Sequence, residues 1–156
     1  MRRKDREVTD PVRIDTIIQT CDCCRLGFSE KNGAYILPLN FAYTRLDGQP
    51  QFYFHCAKAG RKLELLAQNA NVGFELDTNH TLVSGDAGCD FSFRYQSVIG
   101  TGTLEAIDMI DEKKEALRRI VAHYSDREAW SFTDAQADAV VVLKLTVREM
   151  ACKEHV

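Results

Sequence analysis

The stretch Phe52-Tyr53-Phe54-His55-Cys56-Ala57-Lys58-Ala59-Gly60-Arg61-Lys62-Leu63-Glu64-Leu65-Leu66 changes character halfway along. Phe52 to Cys56 has the aromatic, apolar composition of a buried strand. Leucines at 63 and 66, with Ala67 and Ala70, then recur at the spacing of one helical face. Lys58, Arg61 and Lys62 crowd the junction around Gly60. A helix start exposes unpaired N–H groups and a partial positive charge, which acidic neighbours normally complement. Cations there repel the dipole unless an anion joins them. The turn therefore suits a phosphate, held by N–H groups and clamped by side chains. A solvated basic turn is the alternative reading of the same residues.

A chain of 156 residues is long enough for one domain with a sizeable core. The expected organisation is a single domain over 1–156, with residues 1–9 as a polar N-terminal arm on the surface. Hydrophobic residues at 45% and charged residues at 28% give an ordinary globular balance. A net charge of −3 points to neither nucleic acid nor an anionic membrane as partner. No apolar run approaches the roughly 20 residues of a membrane span. The opening Met1-Arg2-Arg3-Lys4-Asp5-Arg6 lacks the apolar segment of a signal peptide, so the expected location is cytoplasmic. Six cysteines, at 21, 23, 24, 56, 89 and 152, then default to reduced thiols. Cys21 and Cys24 have C-x-x-C spacing, but the segment reads as a strand whose residues 21 and 24 face opposite ways. No second pair follows at zinc-site spacing, so the thiols read as small core hydrophobes and no metal site is expected.

Asp10-Pro11 reads as a helix start, a capping carboxylate before a first-turn proline. A first strand is expected over 21–28, closed by a hairpin turn at Asn32-Gly33. A second runs over about 34–46; Pro38 within it marks an edge, a bulge or a place where something other than a strand lies alongside. Asp47-Gly48 turns the chain into a third strand, 51–56, followed by a helix over about 60–69. Val72, Phe74 and Leu76 alternate with Gly73 and Glu75 in a fourth strand, 71–77. A long loop over 78–92 precedes a fifth strand, 93–107. There Gly100-Thr101-Gly102 suits a bend or close backbone approach and is too sparse for a dinucleotide fingerprint. Asp108 reads as the cap of a helix over 109–124, with Ile110, Leu117, Ile120, Val121 and Tyr124 on one face. A loop with Trp130 and a short helical turn lead to a last strand, 139–149. The class is mainly β with flanking helices. Six largely antiparallel strands that must hide their edges favour a barrel.

No G-x-S-x-G occurs, and the four histidines are scattered. His123 reads as a partner for its own helix's last carbonyls, and His80 and His155 as loop and tail residues. His55 ends a buried strand three residues before the cationic turn, so it is a candidate for lining a pocket; a satisfied structural histidine is the alternative.

Three motifs in this order carry a resemblance: Tyr35-Ile36-Leu37-Pro38-Leu39-Asn40-Phe41, then Phe52-Tyr53-Phe54-His55 with Lys58-Ala59-Gly60-Arg61-Lys62, then Tyr95-Gln96-Ser97-Val98-Ile99-Gly100-Thr101-Gly102. Over most of its length the chain resembles the pyridoxamine 5′-phosphate oxidase-like family, and its nitroimidazole-resistance (Nim) branch in particular. The resemblance implies a six-stranded antiparallel split β-barrel and a homodimer with FMN at the subunit interface. It implies that Arg61 and Lys62 hold the FMN phosphate, with His55, Cys56, Ala57, Lys58 and Gly60 close by. Pro38, Leu39, Asn40 and Phe41 would run beside the isoalloxazine ring, and Ser97 would contact the cofactor's polar side chain or ring edge. His55 matches a histidine implicated in the Nim reaction and is the catalytic candidate. The vitamin B6 oxidases of the family carry a C-terminal tryptophan and arginine that grip substrate. The stretch from Arg148 to Val156 lacks them, which argues against vitamin B6 as substrate. The implied activity is flavin-dependent reduction of a small electron acceptor such as a nitroaromatic. A non-enzymatic flavin or haem binding or storage protein of the same fold is the rival reading.

Overall fold

Residues 3–127 and 129–155 are described by the computed structural model, and apolar alternation shapes most of its strands. In chain order the elements are β1 (Glu7–Val8), α1 (Pro11–Gln19), β2 (Cys24–Glu30), β3 (Gly33–Leu39), β4 (Ala42–Leu46), β5 (Gln49–Cys56), α2 (Arg61–Gln68), β6 (Asn71–Val83), β7 (Ser92–Ala106), α3 (Ile110–Tyr124), α4 (Asp134–Asp138) and β8 (Val141–His155). One antiparallel sheet runs in the order β3-β2-β6-β7-β8-β5-β4, with β1 added to β8. Its two edge strands, β3 and β4, are consecutive in the chain and separated only by Asn40 and Phe41. The sheet therefore curls until its edges meet at that corner without pairing, which makes it a split β-barrel.

The barrel interior is built on Phe52, which lies 5.0 Å from the Tyr43 ring, 5.1 Å from Phe74 and 5.7 Å from Phe41, centroid to centroid. Tilted contacts of this kind add to the area term of burial. Leu26, Leu76, Val98, Leu143 and Leu145 complete the core. A second cluster lies outside the barrel, where Tyr53 and Val142 meet Ala116, Leu117 and Ile120 of α3 and Ala137 of α4.

Among the described residues eight strands replace the expected six, and each difference has a local cause. The expected strand 34–46 breaks at Asn40-Phe41, where the Phe41 ring turns into the core and the chain crosses from one edge to the other. The expected loop 78–92 shrinks to 84–91, because Thr81–Val83 pair with Ser92–Arg94 beyond an irregularity at Asn79, whose φ is +55°. The last strand runs on to His155; its polar residues Lys153 and Glu154 pair with Ser97 and Gln96, so β8 lacks an apolar signal there. The N-terminal arm does not simply drape, since Glu7 and Val8 pair with Lys153 and Cys152. The first strand starts at Cys24, not at 21, and Cys21 and Cys24 are both buried in the same core, with the Cys21 thiol bonded to the Ile17 carbonyl at 3.3 Å. Asp108 does not cap α3, whose N-cap residue is Met109. The turn at Asp47-Gly48, both with positive φ, lies where its residue types place it, whereas the first hairpin turns at Lys31-Asn32, one position before the expected Asn32-Gly33, because Gly33 already pairs with Glu30. Among the described residues no helix is long and apolar enough to cross a membrane.

The β7 glycines mark close approach, as their sequence suggests. A Cβ on Gly100 would sit 2.3 Å from the Glu149 carbonyl oxygen and 2.5 Å from the Phe74 ring. One on Gly73 would meet nothing nearer than 3.8 Å. Gly100→Ala should therefore lower the unfolding free energy by about 1–3 kcal/mol, and Gly73→Ala by less than about 1 kcal/mol, measured by urea denaturation.

Candidate functional site

Strand alternation divides the β5 side chains. Phe52, Phe54 and Cys56 enter the barrel core, while Tyr53 and His55 face α3. The Cys56 side chain is accordingly buried and away from any outer site, whereas Ala57, Lys58 and Gly60 are exposed. Gly60 is the N-cap of α2, with φ 132° and ψ 166° and no capping side chain. That φ favours glycine, and the space a Cβ would fill is open. The bare N–H groups of the first α2 turn can thus be approached from outside.

The cations at this helix start have partners that local sequence does not reveal. Arg61 forks onto Glu30 through two bonds of 2.6 Å, Nε to Oε1 and Nη2 to Oε2, and its guanidinium lies 5.0 Å above the Tyr35 ring. Lys58 Nζ lies 3.1 Å from Asp138 Oδ2. The Arg61 side chain is 59% exposed, and an exposed pair is worth about 1 kcal/mol or less. These carboxylates offset two of the three cations without holding the turn tightly. A phosphate, with more charge and three acceptor oxygens, can displace them. The donor set therefore fits a phosphate monoester such as the tail of FMN.

His55 reaches solvent but is partly desolvated. That burial first, and the charge of Lys62 second, lower its pKa from the ordinary imidazole value. Its ring borders a cavity of about 250 Å³ walled by α3, Phe132 and Val140.

The Pro38–Phe41 segment lies at the split. Pro38 pairs with Arg25 on an edge strand, a position where a proline forgoes no ladder bond. Pro38 and Asn40 are exposed, Leu39 is partly covered and Phe41 is fully buried. The Phe41 N–H donates to Tyr124 Oη at 3.0 Å, and the Tyr124 hydroxyl donates to the Asp22 carbonyl at 2.9 Å. His123 does not bond its own helix end: its Nε2 donates to the Cys21 carbonyl at 2.7 Å, and its ring packs 4.4 Å from Phe41. Tyr124 and His123 thus fix the corner, a role absent from the sequence pattern because their partners lie about a hundred residues away. His155 is a strand residue bonded through Nδ1 to the Phe93 carbonyl, and His80 sits in the β6–β7 hairpin 2.9 Å from Asp77.

Ser97 is not brought to the basic turn within one chain. Cys56 pairs with Val141 at the start of β8, whereas Ser97 pairs with Lys153, twelve residues further along the same strand. At about 3.3 Å per residue that is a path of roughly 40 Å. Among the described residues no group of three or more His, Cys, Asp or Glu side chains is placed to hold a metal ion.

The curled antiparallel sheet, the cationic start of α2 and the histidine-lined cavity beside it define a split-barrel protein with a turn suited to a phosphate. Residues 10–154 match the family described as pyridoxamine 5′-phosphate oxidase, and the chain belongs to that family. It is similar to a proposed 5-nitroimidazole antibiotic resistance protein from Bacteroides thetaiotaomicron, at 33% identity over 95% of this chain and 86% of that one, with a TM-score of 0.81. The fold is shared with the flavocytochrome Anf3 from Azotobacter vinelandii, at 21% identity over 100% of this chain and 72% of that one (TM-score 0.82). It is shared also with a FAD- and haem-binding protein from Mycobacterium smegmatis, at 21% identity over 96% and 73% (TM-score 0.81). No functionally curated protein matches the sequence.

An NMR titration should place the His55 midpoint below about 6.5, and Lys62→Gln should move it upward. Because the folded pKa is the lower one, the unfolded chain takes up this proton first. The His55 contribution to stability therefore falls as pH drops below about 6.5 and levels off below the folded pKa.

Proposed function

We propose that this chain binds FMN as a homodimer and reduces small electron acceptors such as nitroaromatics. The observation that carries the reading is the open, glycine-capped start of α2 with Lys58, Arg61 and Lys62 around it, next to the cavity at His55. FMN, when bound, supplies the electron chemistry. Arg61 and Lys62 would bind its phosphate, releasing Glu30, and Gly60 lets the anion approach the backbone. The exposed edge at Pro38, Leu39 and Asn40 would lie along the ring, with Phe41 contributing through its position rather than its N–H. His55 would hold and deliver a proton to the acceptor's oxygen through an imidazole N–H.

The distance along β8 from the basic turn to Ser97 supports the two-subunit arrangement. A cofactor that touches both needs Ser97 from a second copy. The outer face of the sheet from β3 to β8 has the small residues Gly27, Gly73 and Ala151 beside exposed Ile36 and Ile99, a face on which a second copy can rest.

Arg61→Ala with Lys62→Ala should strip the flavin, read from the visible spectrum of the purified protein. A double variant as yellow as the wild type would remove the phosphate assignment. A Soret band in place of flavin bands would support the haem alternative. His55→Ala should keep the flavin and lose most turnover when a reduced nicotinamide and a nitroaromatic are supplied. Wild-type turnover should fall as pH rises through the His55 pKa, which lies below about 6.5, because only the imidazolium has the proton to give.

A further inference from the structure

Helix α3 separates two cavities. Leu117, Ile120 and Val121 face His55, whereas Asp111, Glu112, Glu115 and Arg119 line a second cavity of about 460 Å³ over Tyr53 and Leu46. That volume lies within the roughly 300–1,000 Å³ of small-ligand pockets. The floor is apolar. The Tyr53 hydroxyl donates to Gln51 Oε1 at 2.8 Å, which satisfies its polar end and leaves the ring face to the cavity. Leu46 beside it is 58% exposed.

The charges are unevenly shared along the α3 wall. Toward its C-terminal end one carboxylate serves two cations. Glu115 Oε2 accepts from Arg118 Nη2 at 2.8 Å, and Oε1 accepts from Arg119 Nε at 2.9 Å. The second bond uses only Nε, so the two terminal nitrogens of Arg119 remain as donors; its guanidinium lies 5.6 Å from the Tyr53 ring centre. Toward the helix start the balance reverses. Lys144 Nζ lies 2.7 Å from Glu105 Oε1, and Glu105 first, then Glu112 more weakly, hold its pKa above the ordinary lysine value. Asp111 is 3.9 Å from Lys114, which lies closer to Asp134. The cavity thus has a surplus cation at Glu115–Arg119 and a surplus anion at Asp111–Glu112. Three residues separate Glu112 from Glu115, a rise of about 4.5 Å.

We infer that this second cavity binds a small aliphatic ω-amino acid. The ligand carboxylate meets the terminal N–H groups of Arg119, a pairing that the planar guanidinium favours. The ammonium meets Glu112 and Asp111, and the methylene chain lies across Tyr53 and Leu46. An α-amino acid, whose charges are adjacent, cannot bridge the two ends. A molecule with one charge satisfies only one of them. None of these residues belongs to the turn at Gly60 or to the His55 cavity, so the inference stands apart from the flavin reading.

The test titrates 5-aminopentanoate into the full 156-residue chain as purified and follows the Tyr53 ring resonances by NMR. Pentanoate and pentylamine, each with one of the two charges, are titrated in parallel. The wild type should show saturable Tyr53 shifts with 5-aminopentanoate and bind both single-charge compounds more weakly. Arg119→Gln leaves Arg118 on Glu115, and Glu112→Gln changes an exposed carboxylate of α3. Each should weaken binding about fivefold, the equivalent of ~1 kcal/mol for an exposed pair. Pentanoate should respond to Arg119→Gln and not to Glu112→Gln, and pentylamine the reverse. Tyr53 signals that stay still, unchanged affinity in both variants, or pentanoate or pentylamine binding as tightly as 5-aminopentanoate would overturn the inference.

Discussion

Three cations at the start of a short helix need counter-charge, and much of the site follows from where that charge comes from. The α2 dipole offers no relief, because its positive end faces Lys58, Arg61 and Lys62. Glu30 at the tip of the β2–β3 hairpin and Asp138 in α4 supply it. These pairs join the β2–β3 hairpin and α4 to the same turn. Exposure keeps both pairs weak. Weakness suits a site that has to exchange carboxylates for a ligand's phosphate without unfolding the turn.

The second constraint is the closing of the sheet. Edge strands β3 and β4 never pair, so the corner between them depends on side chains. Phe41 anchors it from inside through the aromatic group around Phe52, and Tyr124 and His123 anchor it from outside. A split held in this way leaves Pro38 and Asn40 at the surface on a rigid support. Pro38, with no N–H to offer, blunts that unpaired edge, as exposed strand edges otherwise recruit other chains.

The elements with strong short-range signals were legible in the sequence. Val72, Phe74 and Leu76 alternate and are buried as the pattern demands; Asp47-Gly48 turns; Phe52 to Cys56 is a core strand; the helix after Gly60 begins where its leucine spacing starts. The grouping of Lys58, Gly60, Arg61 and Lys62 was visible for the same reason. What stayed hidden depends on partners far along the chain. Glu30 and Asp138 carry no mark of their ion pairs, and the Tyr124 bond to Phe41 spans 83 positions. The late half of β8 is mostly polar, with Cys152 its one fully buried side chain after Val147, so alternation cannot announce it. Ser97 belongs to a motif that is contiguous in sequence comparison but distant from the basic turn in space, which only the strand register reveals.

The most direct test is the position of the phosphate in a crystal structure of the chain with FMN. The phosphate is expected within hydrogen-bonding distance of the Arg61 and Lys62 N–H groups and side chains, with the Arg61–Glu30 pair opened and Ser97 of a second copy against the same cofactor. A phosphate bound away from the start of α2, with Arg61 still forked onto Glu30, would contradict it.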